Sequence, residues 1–116
     1  MELNDLATVE LPELGTYKFV VTRITNGRES KYVLVGNPNC DYHNSVYNLY
    51  RASLPQTVDA EEPIGGGRIR MTERELYAYG YSGSYGEPPQ SIVEELLRQY
   101  AENKKLSLRV EIGTGY

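Results

Sequence analysis

Apolar and polar positions alternate from Thr16 to Thr25. Tyr17, Phe19 and Val21 fall on one face, and Lys18, Val20 and Thr22 on the other. A period of two predicts a strand. Asn26-Gly27 predicts a hairpin turn, and Ser30 to Val35 returns as a second strand through Tyr32, Val33 and Leu34. Residues 6–11 are read as a short strand before these, and Gly36-Asn37-Pro38-Asn39 as a loop. The period then lengthens. From Asp41 to about Leu54 the positions Tyr42, Val46, Leu49, Tyr50 and Ser53 follow helical spacing. His43 lies about 100° around that helix from Tyr42, beside the stripe. Pro55 ends the helix, and the polar, acidic stretch to Pro63 reads as an exposed loop.

Past Gly65-Gly66-Gly67 the period of two resumes. Arg68 to Met71 is a predicted strand, Thr72-Glu73-Arg74 a turn, and Glu75 to Tyr81 a further strand. In that strand Leu76, Ala78 and Gly80 alternate with Tyr77, Tyr79 and Tyr81. Ser82 to Gly86 is a small-residue loop. A second helix starts between Pro89 and Ser91, where Ser91 and Glu94 have capping-box spacing. Its stripe is Ile92, Val93, Leu96, Leu97 and Tyr100. Leu106 to Ile112 is a last strand, followed by a Gly113–Tyr116 tail. The order predicts one α/β (α+β) domain over residues 1–116, a mixed sheet of about six strands with two helices.

Composition changes this picture at a few points. Eleven Tyr stand beside one Phe and no Trp, which suits half-buried strand faces and cleft rims. Stacking on nucleic acid needs a basic field, and a net charge of -4 argues against it. Cys40 is the single cysteine. It excludes an internal disulfide and fits a reducing compartment. No apolar run approaches the ~20 residues that span a bilayer, and the acidic first residues lack a signal peptide's apolar region. The expectation is a cytoplasmic protein, a monomer, with no nucleic-acid or membrane partner.

Candidate chemistry centres on His43, the only histidine. Asp41 is a suitable N-cap, which puts His43 in the first helical turn. There the helix dipole disfavours an imidazolium and leaves a neutral base near pH 7. Gly65-Gly66-Gly67-Arg68 can bring amides and a guanidinium to an anion, or simply enter a strand. It is no P-loop, since Gly-Lys-Ser/Thr is missing. Ser82-Gly83-Ser84 can form an anion nest through a positive φ at Gly83, or merely connect strand to helix. A Cys-x5-Arg phosphatase motif fails because Val46 stands six positions after Cys40. One His and one Cys make no metal site, and no Gly-x-Ser-x-Gly elbow supports a serine triad. Neither metal nor cofactor is expected.

Several pieces occur together and in order: Tyr17-Lys18-Phe19-Val20, Glu29-Ser30-Lys31, Tyr42-His43, Gly65-Gly66-Gly67-Arg68-Ile69, Tyr79-Gly80-Tyr81-Ser82 with Tyr85-Gly86, and Gly115-Tyr116. The ordered set resembles the janus/ocnus family, the small protein histidine phosphatases, from about residue 16 onward. The resemblance implies metal-independent hydrolysis of the phosphohistidine P–N bond in substrate proteins. It implies His43 as the catalytic residue; a neutral imidazole there acts as general base on water, with direct nucleophilic attack the less favoured version. Lys18, Arg68, the Asn44 amide and the loop Ser82, Gly83 and Ser84 are implied to hold the phosphate. One departure is Val35, before Gly36, where family members have an arginine. A phospholysine phosphatase is the variant reading, and a non-catalytic phosphate- or phosphopeptide-binding member of the same fold the alternative.

Overall fold

In the computed structural model, which describes residues 2–114, the strongest alternation forms the longest strands. β1 is Val9–Glu10, β2 Gly15–Asn26 and β3 Glu29–Asn37. Helix α1, His43–Ser53, precedes β4 (Asp59–Ala60), β5 (Gly65–Met71) and β6 (Glu75–Gly80). Helix α2, Gln90–Lys104, then leads to β7, Ser107–Ile112. Gly27, with φ 63°, turns β2 into β3, a backbone region that L side chains avoid. The seven-stranded sheet runs β1-β3-β2-β5-β6-β7, with β4 pairing β2. It is mixed: β1 runs parallel to β3 and β7 to β6, and the remaining pairs are antiparallel. The parallel β6–β7 pair needs a crossover, which α2 supplies.

Each face has its own core. Under α2 lie Phe19, Val21, Leu34, Ile69, Leu76 and Ala78, packed against Val93, Leu97 and Ala101. On the other face α1 packs on β2 and β3, where Val46 and Tyr50 meet Val20, Ile24, Val33, Val35, Leu3 and Val58. Burying each such aliphatic or aromatic side chain contributes about 1.5–3 kcal/mol. The radius of gyration, 13.2 Å, is that of one compact domain.

The structure alters several element expectations. The seventh strand, β4, pairs Ala60 and Asp59 with Ile24 and Thr25. It lies in the stretch read as exposed loop, and the neighbouring Val58 is buried. The first strand shrinks to two residues, while β3 takes in Gly36 and Asn37 as partners of Phe19 and Lys18. β5 begins at Gly65, so the three glycines are strand. β6 stops at Gly80, where φ is 76°, before Tyr81.

The helix caps differ as well. Tyr42, in extended conformation, is the N-cap of α1, and Asp41 makes no cap. Tyr42 and Leu49 are 69% and 56% exposed. The buried stripe is His43, Val46 and Tyr50, which places His43 in the stripe rather than beside it. Ser53 lies exposed and donates its hydroxyl to the Tyr50 carbonyl at 2.6 Å. Helix α2 begins one residue before Ser91 with Pro89 as N-cap, so the Ser91–Glu94 capping box does not form. Gly115-Tyr116 lies outside the described residues.

Candidate active site

The sheet register brings the cations together first. Lys18 on β2 and Arg68 on β5 are directly paired, so both side chains leave the sheet on one face. Two residues along, Val20 pairs with Gly66 on that same face. His43, the first residue of α1, comes down over Gly66. A Cβ at Gly66 would lie 2.7 Å from His43 Cδ2, 2.6 Å from the Phe19 carbonyl and 3.2 Å from Ser82 Cβ. Glycine is therefore required there for the imidazole to seat against the strand.

The seat also fixes the ring's protonation pattern. His43 is 6% exposed, and its Nε2 lies 2.9 Å from the Gly67 carbonyl oxygen. A carbonyl only accepts, so Nε2–H donates, and in the neutral ring Nδ1 holds the lone pair. Burial pushes the His43 pKa below its usual 6.5; the Gly67 hydrogen bond opposes this, and the Lys18 and Arg68 charges add to the lowering. The neutral state expected from the helix dipole is thus favoured first by desolvation and then by two neighbouring cations.

Ser82 closes the site from the β6 side. It is 2% exposed. Its Oγ accepts from the amides of Ser84 and Tyr85 at 3.2 and 3.0 Å. Ser82 and Gly86 exchange backbone hydrogen bonds, and the Gly66 amide donates to the Gly86 carbonyl at 3.1 Å. Tyr85 meets Tyr47 of α1 edge-on, with ring centroids 6.2 Å apart. Tyr47 in turn donates to the Ala60 carbonyl at 3.1 Å. The loop is stapled to β5 and braced by α1. These bonds correct two expectations. The positive φ values fall at Gly80 and Gly86, outside the Ser82–Ser84 segment, and Gly83 has none. The Gly66 amide is used within the fold rather than presented to an anion.

Lys18 and Arg68 line a cavity of about 200 Å³ together with Thr16, Tyr17, Pro38, Cys40 and Asp41. A larger cavity of about 650 Å³ lies elsewhere, along β1, β3 and α1. It includes Val35 and none of the expected site residues. The smaller one is lined by the two cations that neighbour His43. Val35 is 6% exposed within the α1-side core. Asn44 is exposed, and its amide sits in the first turn of α1, where no helical carbonyl is in reach. Cys40 lines the cavity with its thiol pKa raised by burial and by Asp41, the opposite of an activated thiolate.

His43, Lys18, Arg68 and Ser82 therefore converge, while Gly83 and Ser84 occupy the turn that Ser82 closes. Sequence reasoning missed the Gly67 carbonyl, the space left at Gly66 and the Tyr47–Tyr85 brace. The available signal was the glycine triplet interrupting an alternating strand.

Fold and site together define a small α/β protein with a buried neutral histidine beside a cross-strand pair of cations. The model of the Janus/Ocnus family (Ocnus) matches residues 3–105, and the chain belongs to that family. It is 27% identical over 113 residues to the sex-regulated protein janus-A of Drosophila pseudoobscura pseudoobscura, covering 90% of this chain and 76% of the relative. It is also 27% identical over 106 residues to the 14 kDa phosphohistidine phosphatase of Sus scrofa, covering 84% of each. Against the Homo sapiens protein of that name the identity is 27% over 110 residues, covering 84% and 88%. Among the described residues no helix is long and apolar enough to cross a membrane.

Proposed function

We propose that the protein hydrolyses phosphohistidine in substrate proteins without a metal, with His43 as general base. The observation that supports this most directly is the hydrogen bond from Nε2–H to the Gly67 carbonyl. It leaves Nδ1 as the basic atom of a neutral ring held next to Lys18 and Arg68. Two relatives named phosphohistidine phosphatase support the substrate class. Lys18 and Arg68 repel a divalent cation and neutralise a phosphate, which favours hydrolysis without metal.

In this reading Lys18, Arg68 and the Asn44 amide bind the phosphate, and the Ser82–Ser84 turn bounds it. Water attacks phosphorus and His43 takes its proton. The P–N bond breaks, and the departing imidazole nitrogen takes a proton from solvent. Inorganic phosphate and the unmodified histidine side chain of the substrate protein result, and His43 returns its proton to solvent. Positioning and charge neutralisation supply most of the acceleration, as in phosphoryl transfer generally. Phospholysine also presents a P–N bond and is the variant substrate.

The test is hydrolysis of a phosphohistidine protein in excess chelator, by wild type and by His43→Ala. Wild type turns over, and the variant loses about 10²–10⁴-fold in kcat. Undiminished activity in His43→Ala sinks the mechanism, and activity lost to chelator sinks the metal-free reading. A second reading, phosphopeptide binding without turnover, is favoured by the buried Val35, which offers no positive charge. Phosphate binding by an inactive wild type selects it.

A further inference from the structure

Helix α1 covers the β2–β3 half of its face of the sheet. The β5–β6–β7 half of that face extends outward from Arg68. On these strands Ile69, Met71, Leu76 and Ala78 enter the core with α2, so their neighbours emerge opposite, on the side of His43. Register pairs Arg68 with Tyr79, Arg70 with Tyr77, and Tyr77 with Arg109.

The emerging side chains form an ordered surface. Tyr77 and Tyr79 stack with centroids 4.6 Å apart and planes 17° from parallel. The Arg109 guanidinium lies 3.9 Å from the Tyr77 centroid, and that of Arg70 5.4 Å away. Glu75 pairs with Arg70 at 3.1 Å and Glu111 with Arg109 at 3.8 Å, and the Tyr77 hydroxyl donates to Glu111 at 2.6 Å. The side chains of Arg70 and Arg109 remain 49% and 52% exposed. With Lys18, Arg68 and the Asp41 beside them, four cations face three carboxylates here, a small local positive excess on a chain of net charge -4. Stacked Tyr and Arg lose little side-chain freedom on contact, which is why both are enriched where proteins bind proteins.

We infer that this surface docks the acidic polypeptide segment flanking the phosphohistidine of the substrate protein, with Arg70 and Arg109 reading its carboxylates. The inference rests on the phosphohistidine reading of the adjoining site. Continuity argues for this occupant, since the row Lys18–Arg68–Tyr79 runs from the phosphate site into the platform without a break. Arg109 lies two residues along and two strands across from Arg68, roughly 12 Å at ordinary strand spacings. An extended chain covers that distance in about three or four residues. The preferred substrate therefore has Glu or Asp about three or four positions from the phosphohistidine.

The experiment compares wild type with the Arg70→Ala/Arg109→Ala double variant on three probes. These are a phosphohistidine peptide with Glu four residues away, the same peptide with Gln there, and phosphoramidate. Wild type prefers the Glu peptide by about fivefold in KM, the double variant loses that preference, and phosphoramidate turnover is the same in both. A wild type with no preference, a preference surviving the double substitution, or an equal loss on phosphoramidate overturns the inference. If wild type hydrolyses none of the probes, the phosphatase reading fails by itself. Peptide affinities from fluorescence anisotropy then decide the docking surface by the same Glu-to-Gln comparison. A single-stranded RNA that outcompetes the Glu peptide in that assay also overturns it.

Discussion

The two faces of the sheet are built for different ends. Under α2 the packing is continuous and apolar, and Phe19, Leu76, Val93 and Leu97 have no exposure. Opposite, α1 covers part of the sheet and its buried stripe begins with a histidine. At that boundary Val20 and Gly66 give way within two residues to Lys18 and Arg68. A group set there is desolvated on one side and meets cations on the other. Neither a full core nor open solvent provides this combination, and it is what holds the His43 imidazole neutral.

The comparison breaks most sharply on the α2 face. Leu97→Ala removes a fully buried side chain and costs about 2–5 kcal/mol, read by denaturant unfolding, while kcat of the folded fraction stays the same. A change in kcat per folded molecule would mean that the two faces are not separable. Gly66→Ala tests the boundary itself. Its Cβ meets the Phe19 carbonyl and the His43 ring, so stability falls by about 1–3 kcal/mol and activity falls beyond what unfolding explains. Retained activity per folded molecule would show that the ring seat is not needed.

The smallest effect concerns pH. A His43 pKa held below 6.5 means that neutral base persists into mild acid. The acid limb of kcat/KM lies below pH 6.5. In Lys18→Ala one of the lesser lowering causes is gone while burial remains, so the limb moves up but stays below 6.5. An unmoved limb removes Lys18 from His43's electrostatic environment. Stability follows the same sign. Unfolded His43 binds protons near pH 6.5 that the folded ring refuses, so stability drops as pH falls from 6.5 through the folded pKa.

Strand positions were legible because alternation reports burial directly: Tyr17, Phe19 and Val21 point to α2 as the sequence requires. The site was legible in part. His43, Lys18 and Arg68 stood out by type and by family resemblance, and the fold brings them together. What the sequence hid depends partly on long-range contacts and partly on competing local bonds. Asp41 has the right chemistry for a cap, yet it lines the cavity with Lys18 and Arg68. Ser82–Ser84 looked like a nest by composition, but Ser82 Oγ takes the Ser84 and Tyr85 amides for itself. Tyr42 fits helical spacing and lies before the helix, exposed. The Ser82 bonds reach only two and three residues ahead, whereas the cavity position of Asp41 and the seat of His43 on Gly66 depend on residues distant in the chain.

The glycine triplet also governs alignment during folding. A side chain at Gly65 would meet the Pro88 backbone nitrogen at 2.2 Å, and one at Gly67 the Tyr79 carbonyl at 2.5 Å. Sliding β5 by one residue puts Ile64 or Arg68 into one of these gaps and turns Ile69 and Met71 toward water. The side-chain-free stretch thus rejects misaligned hairpins by collision at several contacts. Only the correctly threaded sheet gives the imidazole its place, so a seated His43 reports that β2, β5 and β6 have paired in register.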